Sequence, residues 1–187
     1  MYEVEIKVPA DHDTVRARLE ALGARRDETR QQRDVYYDAP HREFAETDEA
    51  LRIRTEAIRT GEESNEDGPS ARITYKGPLL DEGSKTRTEH ETAVSDANET
   101  ADILAGLGFE PAATVEKRRE YWSFEGFTVS LDAVEGLGEF VEVEREIEGA
   151  GGIDATREAA VGVLDRLELD ATDQIRTSYL GLLLAAE

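Results

Sequence analysis

Tyr2-Glu3-Val4-Glu5-Ile6-Lys7-Val8 alternates strictly. Successive side chains of a strand point to opposite faces, so Glu3, Glu5 and Lys7 share one face and Tyr2, Val4, Ile6 and Val8 share the other. The same phase recurs along the chain. Arg52 and Arg54 oppose Leu51 and Ile53. Arg72, Thr74 and Lys76 oppose Ile73 and Tyr75, and Lys85, Arg87, Glu89 and Glu91 share a face. Lys117, Arg119 and Tyr121 do so as well, and Glu142, Glu144 and Glu146 oppose Val141 and Val143.

One wet face is ordinary in an antiparallel sheet. Two features set this face apart. The chain carries 43 acidic and 22 basic residues, a net charge of −21, so a solvated face should be mostly acidic. This one instead collects about nine cations, six of them in the i, i+2 pairs Arg52/Arg54, Lys85/Arg87 and Lys117/Arg119. Only four of the basic residues are Lys, namely Lys7, Lys76, Lys85 and Lys117, and all four lie on it. Arginine forks and lysine point charges neutralise phosphate oxygens, and carboxylates hold Mg²⁺ or Mn²⁺. Side by side, they suit a metal–polyphosphate complex. If the apolar faces point outward under helices, the sheet closes into a tunnel with a charged interior.

Eight alternating runs are predicted as strands: Tyr2–Val8, Gln31–Asp38, Ala50–Ala57, Ala71–Gly77, Lys85–Val94, Thr114–Phe124, Phe127–Val134 and Glu139–Glu148. Helical periodicity covers Asp11–Leu22, Ala97–Leu107, Asp154–Leu167 and, more weakly, Ile175–Ala186. Asp13 and Asp96 are the expected N-caps, and Gly23 and Gly108 stand where helix C-caps belong. Thr60–Ser70 reads as an acidic surface loop. The expected fold is α+β: an eight-stranded antiparallel barrel with a charged interior, flanked by helices, as one domain over residues 1–187.

Composition narrows the function further. The acidity argues against nucleic acid and anionic membrane as partners. The absence of Cys excludes disulfides, thiol catalysis and Cys-ligated zinc, and His12, His41 and His90 have no metal-site spacing. No apolar run approaches the length of a membrane span, and no basic-apolar leader opens the chain, so a cytoplasmic location is expected. Eighteen Arg against four Lys, with abundant acid, suggest a high-salt cytoplasm. A homodimer is the default expectation for oligomeric state.

The segments, in order, resemble the CYTH proteins, the triphosphate tunnel metalloenzymes. Glu3-Val-Glu5-Ile-Lys7 resembles the ExExK signature. Gln32-Arg-Asp34-Val-Tyr36-Tyr37-Asp38, Ala50-Leu51-Arg52-Ile53-Arg54, Thr74-Tyr75-Lys76-Gly77-Pro78, Arg87-Thr-Glu89-His-Glu91 and Val115-Glu-Lys117-Arg-Arg119 look like its successive strands. The run from Leu131-Asp132 through Gly138 and Phe140 to Glu142-Val-Glu144 is similar to its last hairpin.

The resemblance implies that Glu3, Glu5, Glu142 and Glu144 hold Mg²⁺ or Mn²⁺. It implies that Lys7, Arg52, Arg54, Lys76, Arg87, Lys117 and Arg119 hold phosphate oxygens. Lys85 joins them by phase alone, as does Arg72. Lys7, Lys76 and Asp132 are the candidate catalytic groups. Glu89 and Glu91 either order the cations or join the metal shell. Tyr36, Tyr121 and Phe140 are expected to pack the barrel. Arg118 and Glu120 are expected to form an outer pair, solvated or interhelical, with His90 and Trp122 also pointing outward. Ser178 and Tyr179 could close the tunnel. The implied substrate is a nucleoside or inorganic triphosphate. The nearest likeness is to class IV adenylyl cyclases, which convert ATP to cyclic AMP and pyrophosphate. Inorganic or thiamine triphosphatase activity, or binding of a nucleotide or polyphosphate without turnover, are the alternatives.

Overall fold

A computed structural model describes residues 2–60, 63–64, 70–80 and 86–186. The eight expected strands are present: β1 (Tyr2–Pro9), β2 (Arg25–Asp38), β3 (Ala50–Thr60), β5 (Ser70–Lys76), β6 (Arg87–Val94), β7 (Glu110–Phe124), β8 (Phe127–Val134) and β9 (Gly138–Ile147). A two-residue strand, β4 (Glu63–Ser64), folds back on the end of β3. The rest of the predicted Thr60–Ser70 loop, and Lys85 with it, lies outside the described residues.

The strands run β2-β7-β8-β9-β1-β6-β5-β3, and an eight-pair ladder from Arg30↔Ile58 to Tyr37↔Leu51 joins β3 back to β2. All pairings are antiparallel, and the sheet is closed. The ladders are uneven. β1 is matched to β9 along its whole length, Tyr2↔Ile147 to Pro9↔Phe140. Among the described residues its pairs with β6 are Tyr2↔Thr88 and Glu3↔Arg87.

The helices are α1 (His12–Ala21), the single turn α2 (Phe44–Thr47), α3 (Ala97–Gly106), α4 (Ile153–Arg166) and α5 (Tyr179–Ala186). Asp11, rather than Asp13, caps α1: its carboxylate accepts from the Thr14 amide at 2.9 Å and hydroxyl at 2.6 Å. Asp13 falls inside the first turn, where it pairs with Arg16 one turn on, at 2.7 Å. Asp96 caps α3 as expected. Gly23 and Gly108 follow their helices at φ +73° and +89°, in the left-handed region that a Cβ disfavours.

The hydrophobic core lies outside the barrel. Ile6, Val8, Trp122, Val129, Leu131, Val141 and Val143 turn outward and meet Val15 and Leu19 of α1 and Ala160, Val163 and Leu164 of α4. Burying each such side chain contributes roughly 1.5–3 kcal/mol. A second apolar cluster joins Tyr37, Leu51 and Ile53 on the outer wall to Phe44 of α2 and Leu104 of α3. With the apolar faces engaged outside, the alternation sends the faces that carry Glu3, Glu5 and Lys7, Arg52 and Arg54, Lys117 and Arg119, and Glu142 and Glu144 inward.

The outward pair is covered on its Glu120 side. Glu120 does face away from the tunnel, but its side chain is only 3% exposed rather than solvated. Arg16 of α1 at 3.2 Å, Arg26 at 2.9 Å and the Trp122 indole N–H at 2.8 Å converge on it. Helix α1 covers this patch of wall, so the carboxylate is retained only because three donors surround it.

Candidate functional site

The inward faces enclose a cavity of about 240 Å³. Of the sequence-predicted site residues, Glu3, Glu5, Lys7, Arg52, Arg54, Lys76, Arg87, Lys117, Arg119, Glu142 and Glu144 all line it. Parity along each strand explains the convergence: every one of these residues sits on the polar phase of its alternation.

Carboxylates gather where β1 runs beside β9. Glu5 pairs across the ladder with Glu144, and Lys7 pairs with Glu142. Glu5, Glu142 and Glu144 each offer an oxygen within 4.8 Å of the others. Glu3 stands apart from this trio, engaged by the Lys76 ammonium at 2.8 Å. Lys76 also holds Glu89, at 2.7 Å, so one cation bridges β1 and β6.

The surroundings split the trio. Burial opposes ionisation of Glu142, but Arg119, Lys117 and Lys7 outweigh it and hold its carboxyl well below the usual range. Burial, with Glu3, Glu142 and Glu5 nearby, instead pushes Glu144 up to about 8. Ionised carboxylates crowded this closely call for a cation between them. The donor set therefore fits a hard divalent ion bound through oxygen.

A consequence for stability follows in metal-free protein. The Glu144 carboxyl is raised in the fold relative to the unfolded chain, so the native state binds more protons between about pH 4.5 and 8. Stability should fall as pH rises through that window and level off above it. Thermal melts in chelator across pH 5–9 should record this fall, and Glu144→Gln should flatten it.

The cations are held by buried acids. The Asp34 carboxylate accepts from Arg54 Nε at 2.6 Å and Nη2 at 2.7 Å, and from Arg52 at 3.3 Å. It is 1% exposed; burial alone would raise it, but Arg54 and Arg52 hold it well below the usual range. Asp132 accepts from Arg119 Nε at 2.6 Å and lies 3.4 Å from the Lys117 ammonium. Arg119 also reaches Glu142. Asp132 is fully buried behind these cations and does not line the cavity wall. Burial, Arg119 and Arg54 lower the Lys117 ammonium to about 8. Arg87 donates to the Asp48 carbonyl at 2.6 Å and to its carboxylate at 3.1 Å.

Glu89 and Glu91 order cations. Glu89 holds Lys76, and Glu91 accepts from Arg72 at 3.0 Å and from the Thr74 hydroxyl at 2.8 Å. Tyr121 lines the cavity rather than packing the wall: Gln32 donates to its hydroxyl at 3.0 Å, and Arg30 and Arg119 lie over its ring. His90 faces outward and stacks on Tyr75.

Helix α5 covers the barrel end formed by the β8–β9 turn, where Leu183 lies 3.5 Å from the position a Cβ would take on Gly136. Its first residue, Tyr179, packs with Tyr36, Val115, Val134 and Phe140. The Tyr179 hydroxyl donates to Asp132 at 2.9 Å. Lys7 donates to the Thr177 carbonyl at 2.7 Å, and the Ile175 amide donates to the Lys7 carbonyl at 2.8 Å. The predicted Ile175–Ala186 helix thus begins only at Tyr179, because residues before it are drawn along β1.

Sequence reasoning left three of these groups without roles: Asp34, Gln32 and Asp48. Asp34 and Gln32 share the inward parity of Tyr36 and were readable by the alternation. Asp48 has no periodic signal, since it lies in the turn after α2 at φ +54°.

A family model described as the CYTH domain matches residues 1–179. A Methanocaldococcus jannaschii protein, named provisionally as an adenylate cyclase, is 39% identical over 183 residues, 97% of this chain and 98% of its own. The adenylate cyclase CyaB of Aeromonas hydrophila is 28% identical over 180 residues, covering 95% of this chain and 86% of its own. A solved Pyrococcus horikoshii structure superimposes with a TM-score of 0.89 at 35% identity, covering 99% of both chains.

Proposed function

The chain belongs to the CYTH family, and from that membership we propose that it is a divalent-metal-dependent enzyme acting on a triphosphate, converting ATP to cyclic AMP and pyrophosphate. One observation carries this reading: a trio of carboxylates, Glu5, Glu142 and Glu144, faces an array of buried cations across one cavity. Cations alone would suit any anion, and carboxylates alone any hard metal. The adenylate cyclase names of the two relatives support the choice of reaction.

Glu5, Glu142 and Glu144 would hold Mg²⁺ or Mn²⁺, which when bound neutralises charge on the phosphate oxygens. Arg52, Arg54, Arg87 and Arg119 offer forked donors to non-bridging oxygens, and Lys7, Lys76 and Lys117 offer point charges. Their partners Asp34, Asp132, Glu89 and Asp48 fix where those donors point before substrate arrives. Cyclisation forms a bond between the ribose 3′ oxygen and the α-phosphorus and breaks the α–β bridge. The 3′-hydroxyl loses its proton, and charge grows on the departing pyrophosphate, where the cation array stabilises it.

The test is a turnover assay with Mg²⁺ or Mn²⁺ at high salt, offering ATP, inorganic triphosphate and thiamine triphosphate separately. Cyclic AMP with equimolar pyrophosphate from ATP is the expected result. Phosphate release without cyclic AMP would instead make the protein a triphosphatase. Binding of all three without turnover would make it a store or sensor.

Lys76→Ala should weaken inorganic triphosphate binding by about 10–100-fold, the span expected for a charge-assisted contact of roughly 1.5–3 kcal/mol. Adenosine binding should change little. Equal losses for both ligands in calorimetric titrations would contradict a phosphate-binding role.

A further inference from the structure

We infer that Tyr179 is a chain-end stop: the cavity accepts only triphosphates with at least one free terminal phosphoryl group, and that end lies against the Tyr179 ring. The inference rests on the triphosphate reading above and adds to it an orientation and a limit on substrate class.

Tyr179 is 6% exposed and stands at the closed end of the barrel. Two ammonium groups converge on its ring, Lys7 Nζ at 4.2 Å and Lys117 Nζ at 4.9 Å from the centroid. Two point charges at one spot suit a terminal phosphoryl, whose three non-bridging oxygens carry more charge than an internal one. The groups against which the ring packs do not suit a further phosphate. The Tyr179 hydroxyl is committed to the Asp132 carboxylate, which would repel an anion. Around the ring are Phe140, Val115 and Val134, which are apolar, and Tyr36. Phe140 and Tyr179 pack with centroids 5.2 Å apart.

The wall is also anchored from both sides. Lys7 is tied to the Thr177 carbonyl, and the chain just before is tied to β1 through Ile175. A substituent on the deep phosphoryl would have to displace the ring, its hydroxyl bond and the apolar cluster together. A nucleoside therefore extends away from Tyr179, and its free γ-phosphoryl meets Lys7 and Lys117.

Three ligands separate the cases: inorganic tripolyphosphate with two free ends, ATP with one, and diadenosine triphosphate with none. Affinities come from ligand-dependent rises in the melting temperature of the full-length protein with Mg²⁺ present. For the native protein, tripolyphosphate and ATP should bind, and diadenosine triphosphate should bind at least tenfold more weakly than ATP. In Tyr179→Ala that discrimination should collapse to within about threefold. Tyr179→Phe, which keeps the ring, should retain it. Comparable binding of ATP and diadenosine triphosphate to the native protein would overturn the stop, whether or not the alanine variant folds. Unchanged discrimination in a folded Tyr179→Ala would overturn it too. Failure of tripolyphosphate itself to bind would overturn the triphosphate reading and the stop together, so the two failures are distinguishable.

Discussion

Glu5→Gln should lower metal-dependent turnover by on the order of 100-fold or more, with the fold intact. Glu5 is 8% exposed and faces Glu144 across the β1–β9 ladder, with an oxygen of Glu142 also within 4.8 Å. Glutamine keeps the shape and removes the charge. The site loses a third of its carboxylates, and with it the repulsion between Glu5 and the other two. Metal affinity should therefore drop while metal-free stability stays level or rises slightly. Initial rates across a Mn²⁺ titration, paired with thermal melts in chelator, read the two effects separately. Full activity at ordinary metal concentration would remove Glu5 from the metal site. A large fall in melting temperature would make it a structural residue instead.

Asp34→Ala is expected to destabilise the protein by about 3–5 kcal/mol. Asp34 accepts two bonds from Arg54 and one from Arg52, and all three side chains are buried. Removing the carboxylate leaves two guanidinium groups inside the barrel without their counter-ion. The cost is that of uncompensated buried charge, well above the value of a surface pair. Asp34→Asn should keep part of the hydrogen bonding and lose the charge, giving an intermediate value. Denaturant midpoints at unchanged slope measure both. A loss below about 1 kcal/mol for the alanine variant would mean that the arginines are balanced by other groups. Whatever variant protein remains folded should also bind triphosphate more weakly, because Arg52 and Arg54 are no longer aimed.

The barrel and its inverted polarity were legible because a closed sheet preserves parity. Glu3, Glu5 and Lys7 on one face and Val4, Ile6 and Val8 on the other leave a single solution once helices are available to cover the apolar side. For the same reason the inward residues were located strand by strand. Distances between strands were not legible. Parity puts Glu3 and Glu5 on the same face but does not say that Lys76 claims Glu3 while Glu5 joins Glu142 and Glu144. Glu120 was placed outward correctly, yet its burial depends on where α1 crosses the wall, which no local pattern encodes. The α1 cap moved by two residues because Asp11 and Asp13 are equally good local candidates, and the Thr14 amide decides between them.

Where β1 meets β6, the ring of strands carries a clasp made of side chains. The ammonium of Lys76 grips Glu3 of β1 on one side and Glu89 of β6 on the other and draws the two strands together. A hoop fastened by charge loosens where charge is diverted. A phosphate that recruited Lys76 would take hold of the fastener itself, so ligand and wall would compete for one ammonium.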